Sequence, residues 1–93
     1  DGSQSRDFIY VGDVANANLI ASKLISQISG GVFNVSSGQH QSILSIAQKF
    51  NAPIEFIDAR AGEASISWGD NSSFKSLTNW NPTISVNTTL KIL

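Results

Sequence analysis

Two residues able to do chemistry stand out because they are scarce: Arg6 and Arg60 are the only arginines in the chain. Each sits beside a turn and an aromatic or acidic neighbour, in Arg6-Asp7-Phe8 and in Arg60-Ala61-Gly62-Glu63. A guanidinium presents a planar fork of donors that matches phosphate oxygens two at a time, and a nearby glycine lets backbone approach a ligand closely. The alternative is a surface ion pair of Arg6 with Asp7 or Asp13, which stabilises little. His40 is the single histidine and lies in a Gly/Ser/Gln loop, where it is expected to face solvent. A proton relay can be drawn from His40, Asp13 or Asp58 and one of many serines, but no spacing obliges those groups to meet. There is no Gly-x-Gly-x-x-Gly after a strand, no Walker loop and no Gly-x-Ser-x-Gly elbow. With zero cysteines and one histidine, neither a thiolate nor a histidine cluster is available to bind a metal.

The elements that must carry these residues follow from periodicity and punctuation. Phe8-Ile9-Tyr10-Val11 suits a short strand that Gly12-Asp13 breaks. From Asp13, read as an N-cap, Val14, Ala17, Ala21, Leu24/Ile25 and Ile28 recur at helical steps, predicting a helix over 13–28 that Gly30-Gly31 stops. Leu19 and Ile20 form an apolar patch off that stripe, more than one buried face requires. Val32 to Val35 reads as a mostly buried strand with Asn34 as its polar exception, and 36–41 as a loop around Gly38. Ser42 caps a helix through about Phe50; Ile54 to Asp58 reads as a strand; Ala59 to Gly69 is an extended loop. Asp70 or Ser72 opens a short helix holding Phe74 and Leu77, Trp80-Asn81-Pro82 turns, and Ser85 caps a last helix with Val86, Leu90 and Leu93. The expected fold is one small α+β domain over 1–93, with about four helices and three short strands, too few for an ample sheet alone.

Composition narrows the function classes. Ninety-three residues with 41% apolar content allow one modest core and exclude a multi-domain enzyme. Six basic against seven acidic residues give a net charge of -1, so no basic field exists to collect nucleic-acid phosphates. No apolar run reaches the roughly 18 residues that span a bilayer, and no signal peptide is present, so a soluble, cytoplasmic protein is expected. The sequons at Asn34, Asn71 and Asn87 read as chance in a chain this rich in Asn, Ser and Thr. The chain begins at Asp1 and contains no methionine, which raises the expectation of a fragment.

Taken in order, four motifs resemble one family. Gly2 to Val14, reading Gly-Ser-Gln-Ser-Arg-Asp-Phe-Ile-Tyr-Val-Gly-Asp-Val, is similar to the Gly-x-Gln-x-Arg-Asp-aromatic-x-Tyr/His-Val-x-Asp-Val segment of extended short-chain dehydrogenases, the NAD-dependent nucleotide-sugar epimerases and dehydratases. Gly31 to Val35 with Gly38 resembles the family's Phe/Tyr-Asn-Val-Gly-x-Gly strand and turn, and Arg60 to Glu63 its Arg-Pro-Gly-Glu/Asp loop. Asp70 to Lys75, with Leu77, Trp80 and Pro82, resembles the Asp-x-Ser-Lys helix and the Leu-Gly-Trp-x-Pro turn. The departures are Ser36 for glycine, Ala61 for proline, and Thr78-Asn79 where the last turn has its glycine. The family's dinucleotide sheet and catalytic Tyr-x-x-x-Lys pair are missing, since Tyr10 is followed at the fourth position by Val14.

The resemblance implies the C-terminal, substrate-binding portion of such an isomerase, without its N-terminal Rossmann domain, with no catalytic residue and no cofactor in this chain, and with NAD in the complete enzyme. It implies that Arg6 and Arg60 clasp the diphosphate of a nucleotide-diphosphate sugar and that Phe8 walls the pocket without a tyrosine's hydroxyl. Glu63 accepts hydrogen bonds from ribose hydroxyls, and Asn34 lies near the nucleotide. Beside those roles stand the plainer ones: Phe8 in the core, Asn34 serving backbone at a strand end, Glu63 paired with Arg60. If the missing domain covers Leu19, Ile20 and the strand around Phe33, the chain alone exposes an apolar patch and self-associates or is marginally stable. Two rival functions are an interaction module that keeps the fold without the substrate, and a hydrolase using His40.

Overall fold

The first residues form the middle of the sheet. A computed structural model of the chain describes residues 1–92. Strand β1 (Ser5–Arg6) pairs antiparallel with β2 (Gln41–Ser42), setting Ser5 opposite Ser42 and Arg6 opposite Gln41, and parallel with β3 (Ile66–Ser67), setting Ser5 beside Ile66 and Arg6 beside Ser67. The order is β2-β1-β3, and the ladder runs on past the strands through Ile43 N–H to the Gln4 carbonyl and Leu44 N–H to the Gly2 carbonyl, both 2.8 Å. Gly2 has φ +82°, and a Cβ there would stand 2.9 Å from Leu44 Cβ, so both its conformation and its neighbour call for glycine.

Helix α1 (Val11–Lys23) starts two residues before Asp13 and buries Ala17. At Leu24 (φ -109°) the backbone leaves helical values, so the run expected over 13–28 divides into α1 and α2 (Ile25–Ile28). That division raises the helix count from the expected four to five, with α3 (Ile43–Gln48), α4 (Ser72–Thr78) and α5 (Val86–Ile92). The Ser42 hydroxyl accepts from the Ser45 N–H at 3.1 Å, as its cap role requires, and Ser85 serves Thr88 N–H at 3.2 Å. Gly30 takes φ +83° after α2. Leu93, expected in the last helix, lies outside the described residues.

Three strand expectations are corrected. The ladder uses Ser5 and Arg6, whereas Phe8 to Tyr10 carry the chain from β1 to α1 and Val11 is already helical. Val32 to Val35 alternates as a strand does, with Phe33 and Val35 packed on the core and Val32 97% exposed, but it has no ladder partner among the described residues. Ile54 to Asp58 also lacks a partner there and lies exposed throughout, while the extended loop of 59–69 supplies β3. Strands of two residues leave little edge for either segment to join.

The core is a chain of aromatic contacts on α1. Ala17, Phe74 and Trp80 are its buried members; the Phe74 ring lies 5.8 Å from Phe33 and 5.7 Å from Trp80, tilted by 57° and 63°. Ile20 and Ile28 pack beside them, but Leu19, the other member of the expected patch, is exposed. The molecule is a plate of 49 × 32 × 15 Å with a radius of gyration of 15.9 Å. A near-spherical domain of this length has a radius of gyration of about 12–13 Å. A plate that thin holds one layer of buried side chains, and Ile25, Phe50, Phe56, Ile57, Trp68 and Leu77 are each more than half exposed.

Candidate functional site

Arg6 is delivered by the central strand, which fixes its side chain on the face toward the loop of 60–63. Its Nη1 donates to the Ser5 carbonyl at 2.7 Å and its Nη2 to Glu63 Oε1 at 3.3 Å, in an ion pair whose side chains keep 27% and 36% of their exposure. Arg6 therefore pairs with neither Asp7 nor Asp13. Glu63, in turn, bonds to Arg6 and not to its neighbour Arg60. Arg60 and Glu63 share one turn, closed by the Glu63 N–H on the Arg60 carbonyl at 3.5 Å; Gly62, at φ +79°, supplies the left-handed residue it needs.

That turn lines a cleft of about 400 Å³ together with Gly2, Leu44, Ala47 and Phe56. Arg60 and Glu63 both line it, as do Glu55 and Asp58. Carboxylates accept hydrogen bonds from hydroxyls and repel anions, so the charge pattern sets an acceptor-rich wall beside one arginine rim. Phe8 and Asn34 stand elsewhere. Phe8 lines a smaller cleft, about 40 Å³, with Ser37, Gln39, Gln41, Ser85 and Val86, and Asn34 is exposed and does not line the larger cleft. The structure thus bonds Arg6 to Glu63 and sets Glu63 and Arg60 in one turn on the larger cleft, which Arg6, Phe8 and Asn34 do not line.

His40 is exposed, with its ring edge-on to Trp68 at 5.5 Å, and among the described residues no carboxylate hydrogen bond orients it. No group of three potential metal ligands occurs among those residues either.

Two aspartates carry more geometry than the sequence assigned them. Asp7 accepts from Ser37 N–H (2.9 Å), Ser37 Oγ (2.6 Å), Gly38 N–H (3.1 Å) and Gly69 N–H (3.3 Å). Asp13, only 4% exposed, accepts from Thr83 Oγ1 (2.8 Å), Thr83 N–H (3.0 Å) and Ile84 N–H (3.2 Å). Burial, the largest single influence, pushes the Asp13 carboxyl up, but those three bonds together outweigh it and hold it below its ordinary value. Asp70, fully exposed, is also held low, by the hydroxyl and N–H of Ser72. Asp7 follows Arg6 in the Arg-Asp-aromatic motif, and nothing local signals its role, because its partners are 30 to 62 positions away.

Residues 1–36 match the family model described as the NAD dependent epimerase/dehydratase family. A UDP-glucuronate 4-epimerase of Thermodesulfobacterium geofontis is 32% identical over 95 residues, covering 98% of this chain and 29% of the relative. A UDP-glucose 4-epimerase of Neisseria gonorrhoeae is 34% identical over 87 residues, covering 86% of this chain and 26% of the relative. Among solved structures, the Bacillus cereus UDP-glucuronic acid 4-epimerase in complex with UDP-glucuronic acid and NAD superposes with a TM-score of 0.84 at 29% identity, over 98% of this chain and 31% of the other. The Thermotoga maritima UDP-glucose 4-epimerase with UDP-glucose gives 0.84 at 26% identity, over 99% and 31%. The fold is thus a piece of the epimerase fold. The chain is similar to members of the NAD-dependent epimerase/dehydratase family, and it spans about three tenths of the length of these relatives.

The passages from β1 to α1 and from β2 to α3 do not form a dinucleotide cradle. β2 runs directly into α3. The passage from β1 to α1 offers no open glycine cradle: the Cβ direction of Gly12 is filled by the Tyr10 ring, and Asp13 puts a carboxylate in the first turn, where a pyrophosphate would have to sit. No helix among the described residues is long and apolar enough to cross a membrane.

Proposed function

We propose that this chain is the C-terminal, nucleotide-diphosphate-sugar-binding portion of an NAD-dependent UDP-sugar epimerase or dehydratase, inactive by itself. The observation that carries the reading is the Glu63 link, which joins Arg6 on the central strand to the turn that holds Arg60 at the rim of the large cleft. The Arg60 fork on the cleft, with a second at Arg6 tied to Glu63 beside it, suits a diphosphate dianion, and the Glu63 carboxylate suits ribose hydroxyls. The acidic wall of the cleft keeps the diphosphate on the arginine side and leaves the hydroxyl-bearing part to face Glu55 and Asp58. Binding the anion draws Arg6 off Glu63, which frees that carboxylate for the ribose. Phe8 and Asn34 have weaker support: like Arg6 they do not line that cleft, and the bond to Glu63 that ties Arg6 to it is not theirs.

In the complete enzyme a bound NAD would supply hydride chemistry at the sugar, held by an N-terminal Rossmann domain outside these residues. The UDP-sugar and NAD complexes of the relatives support this assignment. A cytoplasmic location goes with it. The exposed apolar side chains favour a second reading, an interaction module without substrate binding. Titration with UDP, followed by NMR of the arginine guanidinium signals, separates the two. Saturable shifts at Arg6 and Arg60 support the substrate reading, and unmoved arginines support the module. Calorimetry with NAD should show no saturation in the micromolar range; saturation there would overturn the assignment of the cofactor to another domain.

A further inference from the structure

We propose that Asp7 is a positioning residue for the anion site, holding Arg6 and Phe8 in place through a carboxylate that binds two distant loops. The inference rests on the reading of Arg6 as a diphosphate ligand.

Both oxygens of Asp7 are engaged: Oδ1 takes the Ser37 N–H and hydroxyl, and Oδ2 takes the Gly38 and Gly69 N–H groups. Its two neighbours in sequence serve different surfaces. Arg6 turns to Glu63, and Phe8 lines the small cleft with Ser37 and Gln39, members of the loop that Asp7 holds. The chain between β1 and α1 has no ladder of its own among the described residues, so Asp7 is the anchor between these faces.

The loops it grips are tied to each other as well. Ser36 Oγ donates to the Gly69 carbonyl at 3.0 Å, and Asn71 Nδ2 donates to the Ser36 carbonyl at 2.7 Å. Gly38 is at φ +78°, and a Cβ there would come within 3.3 Å of the Asn71 amide. Asp7 thus meets a preformed rim of donors, and slack in its grip would be taken up by Arg6 and Phe8. Every partner of Asp7 is a donor, so the site asks for a group that only accepts. An asparagine would turn an NH2 toward at least one N–H and leave it unsatisfied.

The test titrates the 93-residue chain with UDP while NMR follows the Arg6 and Arg60 guanidinium signals and the amides of Ser37, Gly38 and Gly69. Asp7→Asn should weaken UDP binding about tenfold and strip exchange protection from those amides, and Asp7→Glu should recover part of both. In an Arg6→Ala background the cost of Asp7→Asn should shrink toward none, which a merely structural role would not produce. If UDP moves both arginines and Asp7→Asn binds within twofold of wild type, Asp7 is not positioning and the site reading stands. If UDP leaves the arginines unmoved, the site reading fails and takes this proposal with it. Should Asp7→Asn fail to fold, Asp7→Glu and Ser37→Ala decide: weakened binding in a folded chain supports the proposal, and unchanged binding overturns it.

Discussion

The indole N–H of Trp80 donates to the backbone carbonyl of Asp13 at 3.1 Å, across 67 positions of sequence. The same aspartate's side chain takes the hydroxyl and N–H of Thr83 and the N–H of Ile84, so the first helix and the turn after α4 are clamped by a single residue. Trp80 is 1% exposed and stacks edge-on against Phe74. Replacing Trp80 by Ala should cost about 3–5 kcal/mol of stability, and Asp13 by Ala about 1.5–3 kcal/mol. Urea denaturation of the variants checks both, and a loss at Trp80 below that at Asp13 would contradict this ranking.

Asp13 also sets a pH dependence. Its carboxyl is held below the ordinary carboxylate value, so the folded state favours the charged form. The stabilisation is complete above the unfolded value of about 3.9 and is lost as pH falls through the folded one. Asp70 acts in the same direction from the surface. Urea midpoints measured from pH 5 downward should fall for wild type, and Asp13→Asn should flatten the part of the fall that Asp70→Asn leaves.

What was legible in the sequence is what local chemistry decides. Ser42 and Ser85 carry cap roles, and Gly30 ends a helix, because each acts within a few residues of itself. Asp13 looks like a cap by residue type, but the donors that claim it are 70 and 71 positions on. Ile66–Ser67 forms a strand only because β1 offers an edge, a signal too short to carry a period. Ile54 to Asp58 has strand composition and no edge to join. The same limit applies to the site. Two arginines beside turns could be singled out, but the ion pair that joins their surroundings spans 57 positions.

For the arginines, the expected effect is on affinity. Arg60→Lys keeps the charge and loses the fork. In an enzyme containing this segment, UDP-sugar affinity should fall roughly ten- to a hundredfold. Since the diphosphate is remote from the reacting carbon, KM should move more than kcat. Steady-state kinetics decide, and an unchanged KM would remove Arg60 from the site.

The thin plate should not remain monomeric. Phe56 and Ile57 are 59% and 77% exposed in a segment with no ladder partner among the described residues. Apolar surface of that kind drives association when nothing covers it. Sedimentation velocity of the chain should show species larger than monomer at high concentration. Phe56→Ser with Ile57→Ser should shift the distribution toward monomer with little loss of stability. A strictly monomeric wild type would show that the exposed strip is tolerated.

The closest packing in the loop system is between Gly69 and Ser36. A Cβ built on Gly69 would stand 2.6 Å from Ser36 Oγ and 2.8 Å from Ser36 Cβ. The hydroxyl could rotate away, but the Cβ cannot without moving the backbone that carries Ser37 and Gly38, two of the donors to Asp7. Rotation would also break the Ser36 Oγ bond to the Gly69 carbonyl. Gly69→Ala should therefore destabilise the chain by about 1–3 kcal/mol, as overpacking does in well-filled sites. Position 36 offers the remedy, because Ser36→Gly removes both clashing atoms. Alone that change gives up one hydrogen bond and costs about 0.5–1.5 kcal/mol. Combined with Gly69→Ala it should leave a total well below the sum of the two, a favourable coupling where independent lesions would simply add. Thermal or urea unfolding of the two single variants and the double variant measures it. Simple additivity would mean that the loop yields at Gly69 by a movement that does not involve Ser36.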